Sequence, residues 1–140
     1  MLAVDASLVV TNTVGQRACE TLIGRRFGQY GASCHSTSQG RRYWQTGPNL
    51  VEALKPLGFK HDFDMHAARQ RAGRWLFEVY PHSSMVQLFG LDRIIAYKKG
   101  NIEQKRAGLR TLQGHLCTLV GRGLKASNTF GALLTRDVAQ

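Results

Sequence analysis

An α/β fold, with helices packed on a sheet, is what the sequence predicts, and three observations carry it. Short runs of aromatic and β-branched residues alternate with stretches whose apolar residues recur near every 3.6 positions. Hydrophobic residues make up 43% of the 140 positions, enough for one domain with a real core. The strongest run, Arg74-Trp75-Leu76-Phe77-Glu78-Val79-Tyr80-Pro81-His82, reads as a buried strand closed by a proline that cannot continue a ladder. Glu78 is out of place in it. A carboxylate among Phe77, Val79 and Tyr80 is costly to bury unless it is paired, hydrogen-bonded or bound to a cation. The alternative is an edge strand with Glu78 facing water.

The chain opens on Leu2-Ala3-Val4-Asp5-Ala6, a short apolar strand running into an acid, and Ser7 to Thr13 forms the loop beyond it. Gln16 to Phe27 is expected to be helical, with Ala18, Leu22 and Ile23 as its apolar stripe and Gly28 and Gly31 ending it. Gln29 to Gly47 is a loop by composition. It carries Tyr30, His35, Arg41, Arg42, Tyr43 and Trp44. Arginines interleaved with aromatics suit phosphate pairing and base stacking. They equally suit a loop folded back on its own aromatics, the reading that a loop of this length favours because it needs anchors.

A second helix starts at Gly47-Pro48-Asn49, carries Leu50, Val51, Leu54 and Leu57 as its apolar face, and ends at Pro56 and Gly58. Phe59 begins a short edge strand. His61-Asp62-Phe63-Asp64-Met65-His66 is the one local cluster of acids and histidines, but it falls in an expected loop with no cysteine near, which argues against a metal site. After the central run, Pro81 to Phe89 forms a short helix stopped by Gly90. Ile94 to Tyr97 is a short apolar run, and Lys98-Lys99-Gly100 a basic turn. Asn101 caps the longest helix, residues 102–120, whose stripe is Ile102, Leu109, Leu112, Leu116 and Leu119. From Gly121 the periodicity fades and no further element is expected.

Composition narrows the function classes. Nineteen Lys and Arg against nine acids give a formal charge of +10. Residues 1–64 hold 7 basic and 5 acidic groups, net +2, whereas residues 65–140 hold 12 and 4, net +8. Such an excess suits a polyanion such as nucleic acid, or simply a solvated basic surface. No apolar run is long enough to span a bilayer, so no membrane partner is expected. Cys19, Cys34 and Cys117 are widely spaced and form no CxxC, which fits a reducing, cytoplasmic setting. Neither GxGxxG nor GxxxxGK[ST] is present, and there is no GxSxG elbow.

Four segments, taken in order, resemble the family catalogued as domain of unknown function 429, described as predicted ribonuclease-H-like nucleases. Val4-Asp5-Ala6 is similar to its Ile-Asp-Ala/Ile-Pro motif, with Ser7 where proline is usual. Arg17-Ala18-Cys19-Glu20 with Arg25 and Arg26 resembles its Arg-x-Cys-Asp…Ala-Arg helix, with Glu20 in place of aspartate. Glu78-Val79-Tyr80-Pro81-His82 resembles Glu-Val-His/Tyr-Pro, and Tyr97-Lys98-Lys99-Gly100 resembles its Tyr-Lys-Lys-Gly turn. The resemblance implies a ribonuclease-H-like fold, a mixed central sheet flanked by helices. It also implies carboxylates at strand ends holding Mg²⁺ or Mn²⁺, hard cations that prefer oxygen ligands. Two such ions about 4 Å apart can activate a water and stabilise a leaving oxygen.

Carried onto this chain, Asp5 and Glu78 would be the catalytic acids and metal ligands, and Arg17, Lys98 and Lys99 would contact phosphates. The family's opening Gly-Ile-Asp strand has no counterpart here. Its closing Asp-Ala-x-x-Ala helix is matched only poorly, around Asp137. Residues 1–140 therefore read as a single but partial domain, incomplete at both ends. The functions expected are a metal-dependent nuclease, a non-catalytic nucleic-acid-binding or interaction module on the same scaffold, or a truncated inactive product.

Overall fold

The computed structural model describes residues 1–135. They divide into two compact units, Met1–Arg93 and a second that begins at Ile94. The first contains β1 (Leu2–Val4), α1 (Ala18–Phe27), α2 (Thr46–Leu54), β2 (Phe59–His61), α3 (Met65–Arg69), β3 (Arg74–Glu78) and α4 (Pro81–Phe89). The second contains α5 (Ile102–Gly121) and α6 (Asn128–Leu134). The α/β architecture is the one the sequence calls for. The strands form one sheet in the order β1-β3-β2. Both pairings are parallel, with Val4 beside Glu78 and His61 beside Leu76. No antiparallel strand occurs among the described residues.

The central position of β3 explains its unbroken apolar run. A parallel strand covered on both faces needs no polar alternation, and Trp75, Leu76 and Phe77 are all buried, Leu76 completely. Trp75 and Phe77 share one face of the pleat and pack with Ala68 of α3. The Trp75 indole N–H donates to the Arg71 carbonyl at 3.2 Å, and the Arg71 guanidinium lies 4.6 Å from the centre of the Trp75 ring. β2 is an edge strand, as Phe59 suggested. Glu78 closes the central strand, so that strand is not an edge, although Glu78 itself is exposed at its end.

Three local expectations are corrected. The first is α3, a helix where the His/Asp cluster read as loop. Asp64 is its N-cap, accepting the Ala67 N–H at 2.9 Å. The second is α6, in a tail that showed no periodicity. Ser127 caps it, its hydroxyl accepting the Phe130 N–H at 3.2 Å; the cap was legible, but the helix is too short for a stripe. The third is the buried side of α1. Ala18 and Leu22 are exposed, and the one residue of the helix that is buried is Glu20. The longest helix forms as expected, with Asn101 and Gln104 exchanging side-chain and backbone hydrogen bonds at 2.9 Å in a capping box.

Gly47, in the first turn of α2, lets that helix touch the segment that follows β1. A Cβ at this position would lie 2.0 Å from the Ser7 carbonyl oxygen, and backbone cannot step aside as a side chain can. Gly47→Ala is therefore expected to cost about 1–3 kcal/mol, read as a lower urea midpoint at unchanged m-value. An unchanged midpoint would mean that the helix start is not seated on Ser7.

Candidate functional site

All three strands of a parallel sheet point their carboxyl ends the same way, and here each ends at or beside an acid. β1 runs into Asp5, β2 into Asp62, and β3 ends on Glu78. The carboxyl end of such a sheet is where open α/β folds place their ligands. A cleft of about 500 Å³ lies there, with Arg17, Glu20, Asp62, Phe77, Glu78 and Tyr80 in its lining.

The charged side chains in this cleft are tied to one another. The Arg17 guanidinium grips Glu78 with two parallel hydrogen bonds, Nη1 to Oε2 at 2.8 Å and Nη2 to Oε1 at 2.5 Å. Its Nε donates to Glu20 Oε1 at 2.8 Å, and Nη1 also reaches the Val9 carbonyl at 3.1 Å. Backbone completes the arrangement. Leu8 N–H donates to Glu78 Oε2, and the N–H groups of Arg17 and Thr37 both donate to Glu20 Oε2, each at 3.0 Å. The planar fork of arginine suits such a bidentate grip in a way lysine does not. The Arg17 and Glu20 side chains are 11% and 2% exposed, while that of Glu78 keeps 29%.

The titration of these groups follows from that packing. Burial works against the Arg17 charge, but the hydrogen bonds to Glu78 and Glu20 outweigh it and raise the guanidinium above its already high value. Burial alone would push the Glu20 carboxyl up, yet the Thr37 and Arg17 N–H groups and the Arg17 guanidinium hold it below its ordinary value. Burial pushes the Cys34 thiol up to about 11, with Glu20 adding to the effect. Tyr80 donates its hydroxyl to the Ser33 carbonyl at 2.6 Å. Burial, followed by the charges of Cys34 and Asp5, pushes the Tyr80 hydroxyl above its ordinary pKa. Asp62 is held low first by the Asp64 N–H and then by Arg71, which it meets at 2.5 Å.

The residues singled out by sequence are thus placed as follows. Asp5 lies one position beyond β1, exposed, and makes no hydrogen bond or ion pair among the described residues. Glu78 is engaged by Arg17 and Leu8. Arg17 lies between two carboxylates, with little donor capacity left for a phosphate. Lys98 and Lys99 belong to the second unit, exposed, with the Lys98 ammonium 5.3 Å from the centre of the Tyr97 ring. Asp137 lies outside the described residues. Two participants escaped the sequence reading. Glu20 was legible as an acid three positions after the N-cap Arg17, the N3 place of a capping box. Asp62 was legible as a strand running into an acid, the same pattern as Val4-Asp5.

The donor set does not fit a divalent cation as arranged. Among the described residues no three His, Cys, Asp or Glu side chains gather to hold a metal ion. Both Glu78 oxygens already accept hydrogen bonds, so a cation there would have to displace the guanidinium.

A family model described as Protein of unknown function (DUF429) matches residues 1–135. No curated protein and no solved structure matches the chain.

Replacing Arg17 by methionine would leave Glu20 charged and enclosed. Breaking a buried pair from one side is costly, and Arg17→Met is expected to lose roughly 3 kcal/mol in urea unfolding. The low Glu20 value also fixes a sign. Its contribution is full at pH values above the ordinary carboxylate range and is lost as pH falls through the depressed folded value. Stability should therefore drop on acidification below about pH 4.5, and Glu20→Gln should flatten that drop. Parallel acid profiles for the two proteins would show that Glu20 is not the group responsible.

Proposed function

Because the chain belongs to the DUF429 family, whose description carries no activity, we propose from its own residues that it binds nucleic acid without hydrolysing it. The scaffold is then a ribonuclease-H-like sheet whose strand-end acid has become a structural tie. The observation that carries this reading is the closed Glu20–Arg17–Glu78 group. A cleaving centre needs strand-end carboxylates free to act, and both oxygens of Glu78 are engaged, by the Arg17 guanidinium and the Leu8 N–H. What is bound follows from the charge. The chain carries +10, and such an excess recruits phosphates through counterion release. Among the described residues no helix is long and apolar enough to cross a membrane.

A second reading, phosphodiester hydrolysis dependent on Mg²⁺ or Mn²⁺, draws on one observation. Asp5, Asp62 and Glu78 stand at the same end of three adjacent strands. One experiment separates the two. Purified protein is titrated into labelled single-stranded and duplex oligonucleotides across about 50–200 mM salt. The same substrates are then incubated with protein and each cation, beside Glu78→Gln. The expected result is binding that weakens at least tenfold over that range, with no cleavage above the variant. Cleavage that Glu78→Gln abolishes would establish the second reading. Binding that is absent or indifferent to salt would sink the first.

A further inference from the structure

We propose that the loop between α1 and α2 forms a docking site for one nucleotide of a single strand, its phosphate met by Arg41 and Arg42 and its base stacked on Tyr43 or Trp44. The loop encloses a cavity of about 590 Å³, lined on one side by His35, Ser36 and Thr37 and on the other by the Arg41–Trp44 run. That volume is in the range of small-ligand sites. It is distinct from the cleft at the sheet end, and the two share no lining residue.

Three features point to a phosphate with an aromatic base. The first is uncompensated charge. Residues 21–51 contain four arginines and no acid. Among the described residues neither Arg41 nor Arg42 meets a carboxylate; Arg41 donates instead to the Ser36 hydroxyl at 3.2 Å. An arginine without a carboxylate partner keeps its fork for an anion.

The second feature is the aromatic wall. Tyr43 is 72% exposed, and the Arg42 guanidinium sits 4.6 Å from its ring centre. Stacked arginine and tyrosine of this kind offer a planar, cationic platform to a base. The third is backbone conformation. Tyr43 has φ +64° and is the one non-glycine with positive φ among the described residues. A bulky residue in this region is a genuine outlier, and here its ring is directed to solvent and not into a core.

The bland alternative is a loop anchored by its own aromatics, as its length suggested. The anchors lie elsewhere. Gln39 N–H and Gly40 N–H donate to the Asn12 and Thr13 carbonyls at 3.0 and 3.2 Å, Thr37 N–H donates to Glu20, and Ser38 is buried. The exposed pair Arg42 and Tyr43 are chain neighbours, so their contact fastens the loop to nothing else.

The site rests on the nucleic-acid-binding reading, and the test keeps the two apart. Full-length wild type, Arg42→Gln and Tyr43→Asn are compared by fluorescence anisotropy on a labelled oligothymidylate, with duplex DNA and a nucleoside monophosphate as competitors. Asparagine is chosen because it tolerates positive φ, and thermal melts check that both variants fold. Arg42→Gln keeps the test valid should Tyr43→Asn fail to fold. Each variant is expected to weaken single-strand binding about five- to a hundredfold, with duplex competing poorly. Wild-type affinity in the folded variants would overturn the site and leave nucleic-acid binding standing. A wild type that binds the monophosphate in a direct calorimetric titration but binds no strand would overturn the wider reading and the strand as ligand. No binding to either overturns both.

Discussion

Arg17 holds Glu20 and Glu78 at once, and the organisation of the first unit depends on that grip. Glu78 closes the central strand, Glu20 and Arg17 belong to the start of α1, and the backbone of Leu8 and Thr37 supplies the remaining hydrogen bonds. A strand end, a helix start and two loops therefore meet at a single guanidinium. The apolar core is small, with Ala68, Trp75 and Phe77 forming its buried cluster. In a domain with so little apolar interior, a satisfied polar group of this kind fixes geometry that packing alone would leave loose. Its formation carries a desolvation cost that only complete hydrogen bonding offsets, and here each of the four carboxylate oxygens accepts at least one.

The same grip separates two kinds of charge. At the sheet end three acids are paired from within, Glu78 and Glu20 sharing Arg17 and Asp62 meeting Arg71, while Asp5 has no ion pair among the described residues. The arginines of the loop before α2 meet no carboxylate among the described residues. Arginines thus meet carboxylates in the first region and none in the second. The proposed nucleotide site lies in the second.

Much of this was legible in the sequence, and the exceptions share a cause. The buried run of β3, the capped start of α5 at Asn101 and the helix beginning at Pro81 follow from local patterns that tertiary packing did not override. α1 failed differently. Its apolar stripe through Ala18 and Leu22 suggested a buried face, but the helix turns Glu20 inward, where Arg17 and the Thr37 N–H meet it. Thr37 is 17 positions away, and no helical period encodes it. The strand-end positions of Asp5 and Glu78 were likewise legible, whereas the engagement of Glu78 by Arg17, 61 positions away, was not. α3 and α6 are too short for periodicity, so their caps were the only signal. The loop at Arg41–Trp44 was read as favouring anchorage on its own aromatics, whereas Gln39 and Gly40 fasten it through backbone hydrogen bonds to Asn12 and Thr13.

Whether Arg17 and Glu78 act as one structural unit is open to direct measurement by a double-mutant cycle. Arg17→Met, Glu78→Gln and the double variant are unfolded in urea beside wild type at neutral pH. The expected result is a coupling of about 1–2 kcal/mol, with Glu78→Gln costing far less once Arg17 is gone. Additive effects, with coupling indistinguishable from zero, would contradict the structural tie and return Glu78 to the role of a free strand-end acid.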